Sequence, residues 1–205
     1  AFGTQSLQLN TSGNNNVAVG RNSLYSNTTG GDNTAVGMQS LQSNTTGNNN
    51  VAVGRSSLYS NTSGSYNSAF GTQSLQSNTT GRNNVAVGGY SLNSNTSGYD
   101  NSAFGWNSLQ SNTTGNNNVA VGMQSLFSNT SGSDNSAFGM QSLQSNTGSS
   151  NTALGYLSLS NVTTGSNNVG IGFNANVPVA TNSNQVRIGD ANITYAGIQV
   201  AWTTT

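Results

Sequence analysis

Asn49-Asn50-Val51-Ala52-Val53-Gly54-Arg55-Ser56-Ser57-Leu58-Tyr59-Ser60-Asn61-Thr62-Ser63-Gly64 is followed by Asn67-Ser68-Ala69-Phe70-Gly71-Thr72-Gln73-Ser74-Leu75-Gln76-Ser77-Asn78-Thr79-Thr80-Gly81, the same phrase moved on by seventeen residues. The glycine of the phrase stands at Gly3, Gly20, Gly37, Gly54, Gly71, Gly88, Gly105, Gly122 and Gly139, then resumes one residue early at Gly155, Gly172 and Gly189. Self-similarity at a fixed short period marks a stacked, quasi-one-dimensional fold. The expectation is an all-β parallel β-solenoid with one coil per seventeen-residue repeat over residues 1–175.

Within one repeat, Asn50-Val51-Ala52-Val53 alternates as an extended strand, with Val51 and Val53 on one face and Asn50, Ala52 and Gly54 on the other. Ser57-Leu58-Tyr59-Ser60 reads as a second short strand, and Asn61 to Tyr66 as a turn in which Gly64 can take positive φ. No helix start signal or 3.6-residue apolar pattern is present. Leucines recur in phase at Leu7, Leu24, Leu41, Leu58, Leu75, Leu92, Leu109, Leu126, Leu143 and Leu159. A leucine column facing a valine column would make a narrow core. A lone coil cannot hold itself, because ordering costs ~1–2 kcal/mol per residue against ~1.5–3 kcal/mol per buried Leu or Val. Twelve stacked repeats at ~4.8 Å predict a rod of roughly 55–60 Å.

A thirty-four-residue period lies over the first. Val51-Ala52-Val53 alternates with Ser68-Ala69-Phe70, then Val85-Ala86-Val87, then Ser102-Ala103-Phe104. Two medium side chains alternate with one small and one large, at similar summed volume. This reads as neighbouring coils fitted to each other, with one coil per thirty-four residues as the alternative. The small face of Asn50, Ala52 and Gly54, repeated at Asn84, Ala86 and Gly88 and at Asn118, Ala120 and Gly122, has two readings. It fits a tight coil interior, or it lets another chain come close at the three-fold axis of a trimer. Chain contact is the preferred reading, since a single thin coil leaves much surface for its core.

Charged residues are 4% of the 205, the net charge is zero, and there is no histidine or cysteine. No basic patch exists for a nucleic-acid backbone, and no disulfide is possible. No apolar run reaches the ~18 residues of a membrane span. A disordered polar linker would not need apolar triplets in register. Asp32, Asp100 and Asp134 occupy one corner position in different repeats, twelve residues after the glycine. They therefore form no carboxylate pair of the kind glycosidase chemistry needs, and they lack the ligand spacing of a calcium loop. No enzyme activity, metal or cofactor is expected. Asn-x-Ser/Thr at Asn27, Asn44, Asn61, Asn78, Asn95, Asn112 and Asn129 reads as the turn and not as glycan acceptors. Met38, Tyr90, Trp106, Met123, Met140 and Tyr156 follow the glycine closely and are expected to face outward.

The phrase N-[ST]-A-[VLF]-G-x-x-S-L-x-S-N-T-T-G resembles repeats of bacteriophage tail fibres and related bacterial surface proteins. Its N-x-V-A-V-G core is similar to the repeat of trimeric autotransporter adhesin heads, which implies a left-handed, homotrimeric β-roll. After Phe173 the phrase degrades. The segment Gln185-Val186-Arg187-Ile188-Gly189-Asp190, with Ile193-Thr194-Tyr195 and Ile198-Gln199-Val200-Ala201-Trp202, resembles the stretch just before an endosialidase-type intramolecular chaperone. That resemblance implies a trimerising chaperone domain, missing here, that cuts itself away at a serine. A coil ending near residue 175 is expected, followed by a cap over 176–205 in which Tyr195 and Trp202 lock chains or stack on sugar. Pro178 and Asn176, the latter standing where leucine stood, support that boundary.

The function so implied is a structural or adhesive fibre shaft. Its leading setting is a phage tail fibre, outside the cell and on the virion, presenting a tip to a host glycan or protein receptor. A trimeric bacterial surface adhesin is the first alternative. An ice-binding solenoid is the second, on the strength of Thr28-Thr29, Thr45-Thr46 and Thr79-Thr80. Its partner is expected to be itself, with no nucleic acid and no membrane insertion.

Overall fold

The computed structural model describes residues 1–193. Eleven three-residue strands run in chain order through one parallel sheet: β1 (Val17–Val19), β2 (Thr34–Val36), β3 (Val51–Val53), β4 (Ser68–Phe70), β5 (Val85–Val87), β6 (Ser102–Phe104), β7 (Val119–Val121), β8 (Ser136–Phe138), β9 (Thr152–Leu154), β10 (Val169–Ile171) and β11 (Val186–Ile188). Each residue pairs with its equivalent one repeat on, as Ala52 does with Ala69 and Val53 with Phe70. One coil per seventeen-residue repeat is thereby established, and the thirty-four-residue coil is excluded. No helix occurs among the described residues. Ten inter-strand steps make the ladder about 50 Å long.

The second expected strand is not one. Ser56 and Leu58 sit at φ 55° and 50°, and the same two positions are left-handed in coil after coil. An extended stretch would carry the chain away from the first strand; alternating left-handed residues curl it back within seventeen residues. Coil-to-coil hydrogen bonding survives, with Leu58 N–H donating to Ser74 O at 3.0 Å and Ser60 N–H to Gln76 O at 2.9 Å. A left-handed leucine costs roughly 1–2 kcal/mol. Its complete burial, shared by every column member from Leu24 to Leu159, gives back ~1.5–3 kcal/mol.

The corner after Asn61 closes on a single acceptor. Thr62, Ser63 and Gly64 N–H all donate to Thr79 O, at 3.0, 3.2 and 3.3 Å, and the Thr62 hydroxyl joins them at 3.1 Å. Two buried asparagine columns hold the corners together. Asn61 Nδ2 donates to Asn44 Oδ1 at 2.8 Å and to Gly64 O at 2.9 Å. Asn67 uses both its backbone and side-chain N–H on Asn50 Oδ1, at 3.0 and 3.2 Å. Buried amides left unpaired would cost ~1–3 kcal/mol each; stacked as ladders they are satisfied by their own copies.

The coil that is one residue short keeps the sheet in register, with Ser136 opposite Thr152. The loss falls at Asn146-Thr147-Gly148, where Asn146 Nδ2 keeps the bond to its corner glycine, Gly148 O, at 3.0 Å. It no longer reaches Asn129, whose buried Oδ1 has no partner.

The ladder also runs past the expected boundary at residue 175. β11 pairs with β10 in register, Gln185 N–H reaches Asn168 Oδ1 at 2.9 Å, and Ala175 and Val177 are buried beyond the leucine column. Pro178 lies in a corner outside the strand ladder, so its missing N–H does not stop the stack. Of the apolar residues in the expected cap over 176–205, Val186, Ile188 and Ile193 are exposed; Tyr195, Ile198, Val200 and Trp202 lie outside the described residues.

Candidate functional site: the outward face of the sheet

The sheet's two faces are assigned the opposite way to the expectation. Ala52, Ala86 and Ala120 point into the coil and are wholly buried by their own chain, as are Asn50, Asn84 and Asn118. They have no surface to offer a second chain. The reason is the width of the coil. At Gly170, which stands in the alanine column, an added Cβ would lie 2.5 Å from Leu159 Cγ. Only the smallest side chains fit between strand and leucine, so the valines are turned out. Gly54, Gly88 and Gly122 form a column of close backbone contacts between coils. They hold φ 133°, 131° and 126°, and a Cβ on Gly54 would meet Gly71 O at 2.6 Å.

The outward face therefore carries Val19, Val36, Val53, Phe70, Val87, Phe104, Val121, Phe138, Leu154, Ile171 and Ile188 in one unbroken apolar column, two residues from a second column of Val, Ser and Thr. Phe70, Phe104 and Phe138 are 41%, 41% and 42% exposed, while Ala69 and Ala103 beside them are at 0%. The strip is about 50 Å by 10 Å, or roughly 500 Å² in projection. That is the size of the largest apolar patch on an ordinary monomer, which is often functional. The available signal was the thirty-four-residue alternation itself. Interior columns of Ala, Leu and Asn do not alternate; the valine positions do.

At the flanking corner, Trp106 is exposed and meets Tyr90 edge-on at 5.1 Å. Its ring lies where Gly89 has no side chain. Tyr156 and Phe173 follow at 5.6 Å, and Met123 and Met140 are exposed. Trp106, Met123, Met140 and Tyr156 are exposed, as expected, and Met38 and Tyr90 are half-buried. On another corner each aspartate stands beside an amide: Asn15 Nδ2 donates to Asp32 Oδ1 at 3.0 Å, Asn83 to Asp100 at 2.9 Å, and Asn117 to Asp134 at 3.0 Å. Equivalent residues stack at ~4.8 Å, so a column of one charge would repel itself. This gives the 4% charge a structural cause.

Asn27, Asn44, Asn61, Asn78, Asn95, Asn112 and Asn129 are buried with their amide hydrogens engaged. They are structural turn residues and inaccessible to glycosylation in the fold. No pocket and no group of three His, Cys, Asp or Glu is found among the described residues. No helix there is long and apolar enough to cross a membrane.

The fold and the exposed strip define a parallel β-solenoid with one apolar side. No protein-family model, curated protein or solved structure matches the chain.

Proposed function

We propose that this chain is the shaft of an extracellular fibre, a left-handed coil associated as a homotrimer through the outward sheet face. The reading rests on one observation above all: the apolar column is continuous over the length of the solenoid and remains exposed in the single chain. Three copies placed around a parallel axis would bury it from water at ~25 cal/mol per Å² of apolar area. The role is mechanical and not enzymatic. A rod most of whose buried asparagines are satisfied by coil-to-coil ladders, and which carries few charges, depends little on salt.

A phage tail fibre that presents a tip to a host receptor, glycan or protein, is the setting the repeat resembles most. A bacterial surface adhesin would use the same geometry. The ice-binding alternative loses one of its two threonine columns, because Thr28 Oγ1 donates to Thr45 O at 2.9 Å and Thr45 Oγ1 to Thr62 O at 3.0 Å; the other, with Thr29, Thr46 and Thr80, is exposed but lies in the corner outside the sheet and is interrupted by Ser63 and Ser97. Electron microscopy of the purified chain tests the proposal: parallel three-chain rods support it, and isolated single rods contradict it.

A further inference from the structure

The thirty-four-residue alternation cannot be core packing, because the side chains that alternate face outward. Ser68 and Phe70, then Val85 and Val87, then Ser102 and Phe104, then Val119 and Val121, then Ser136 and Phe138 occupy successive strands of one exposed face. Each pair keeps a nearly constant total size while its division between the two columns changes. Water sets no such rule, so the pattern fits a steric partner with the same period. A partner periodic at two coils of this solenoid is another copy of it.

Building on the homo-oligomeric reading above, we propose that the Ser/Phe and Val/Val alternation is a register code that fixes the axial alignment of the copies. In a cyclic parallel assembly the start of one copy's strand lies beside the end of the next copy's strand at the same level, a heterologous contact that closes on itself. At matched levels Phe70 of one chain lies over Ser68 of the next, and Val87 lies beside Val85. Both contacts are filled. A slip of one coil sets phenylalanine against valine and serine against valine, one overpacked and the other leaving a gap, and both are penalised. A slip of two coils restores the Phe–Ser fit but uncovers apolar strand at both ends.

The full chain has no cysteine, so disulfides placed between copies report register without background. Copies carrying Val87→Cys are co-expressed with copies carrying Val85→Cys, Ser102→Cys or Val119→Cys, which report slips of zero, one and two coils. The zero-slip cross-link should exceed the one-coil cross-link by at least about tenfold, since one overpacked site already disfavours slippage by that factor. The same measurement is repeated in a levelled variant in which Ser68, Phe70, Ser102, Phe104, Ser136 and Phe138 are all changed to Val. It should still associate, with zero-slip and one-coil products becoming comparable. A levelled variant that keeps the zero-slip preference overturns the register code and leaves the fibre reading standing. Equal cross-linking at all levels in the unaltered face does the same. A chain that stays single overturns both.

Discussion

Asn61 reaches Asn44 Oδ1 across 2.8 Å with one amide hydrogen and Gly64 O across 2.9 Å with the other. One side chain thus closes its own corner and ties it to the preceding coil, and the pattern repeats along the column. The stability of the rod is therefore local and sequential, as in other repeat folds.

Asn78→Ala should be among the most damaging single changes. It removes the donor to Asn61 Oδ1 and to Gly81 O, and the acceptor for Asn95 Nδ2. With ~1–3 kcal/mol for each buried group left unpaired, a loss of at least about 2 kcal/mol is expected. Native-state hydrogen exchange should show it as faster exchange confined to residues near 61–98, with distant coils unchanged.

Inserting one Thr between Thr147 and Gly148 restores the seventeen-residue spacing of the corner, so that the amide of Asn146 reaches the unpartnered Asn129 Oδ1 while keeping its bond to the corner glycine. A gain of about 1 kcal/mol is expected, read as a higher thermal midpoint. An unchanged or lower midpoint would show that the short coil is adapted to its gap.

Tyr66 stands at φ 60° and is well exposed, where most other repeats have Asn or Asp. Tyr66→Asn should stabilise by up to about 1 kcal/mol, because asparagine tolerates the left-handed region better. Gly71→Ala should do the reverse by about 2 kcal/mol or more, since its Cβ would lie 2.7 Å from Gly88 C at φ 134°. Denaturant midpoints of the two variants should move in opposite directions.

Asn117→Asp would place a carboxylate between Asp100 and Asp134 in one column, at ~4.8 Å from each. Repulsion of about 1 kcal/mol or more per neighbour is expected. Like charges raise the folded-state pKa above the unfolded value, so the charged form is the one disfavoured by folding. The destabilisation should be full at neutral pH, fade as pH falls through the folded pKa, and shrink in 1 M salt. A pH-independent loss would contradict the stacked-column geometry.

Much of this was legible in the chain. The period of Gly54 and Leu58 gives the coil, and the alternation of Asn50 to Val53 gives the strand. Alternation says which residues share a face, not which face is inside; hydropathy chose the valines, and the narrow gap seen at Gly170 against Leu159 chose the alanines. The left-handed leucines were not legible either, because leucine has no preference for that region and only closure of the coil imposes it. The apolar strip was visible as a pattern before its place was known.

Native mass measurement of the soluble chain at micromolar concentration tests most directly whether the outward Val53-to-Phe138 column is an interface between copies. A stable three-chain mass that falls to single chains on Phe104→Asp, but persists in Arg55→Asp, is the expected result. A single-chain mass for the unaltered protein would contradict it.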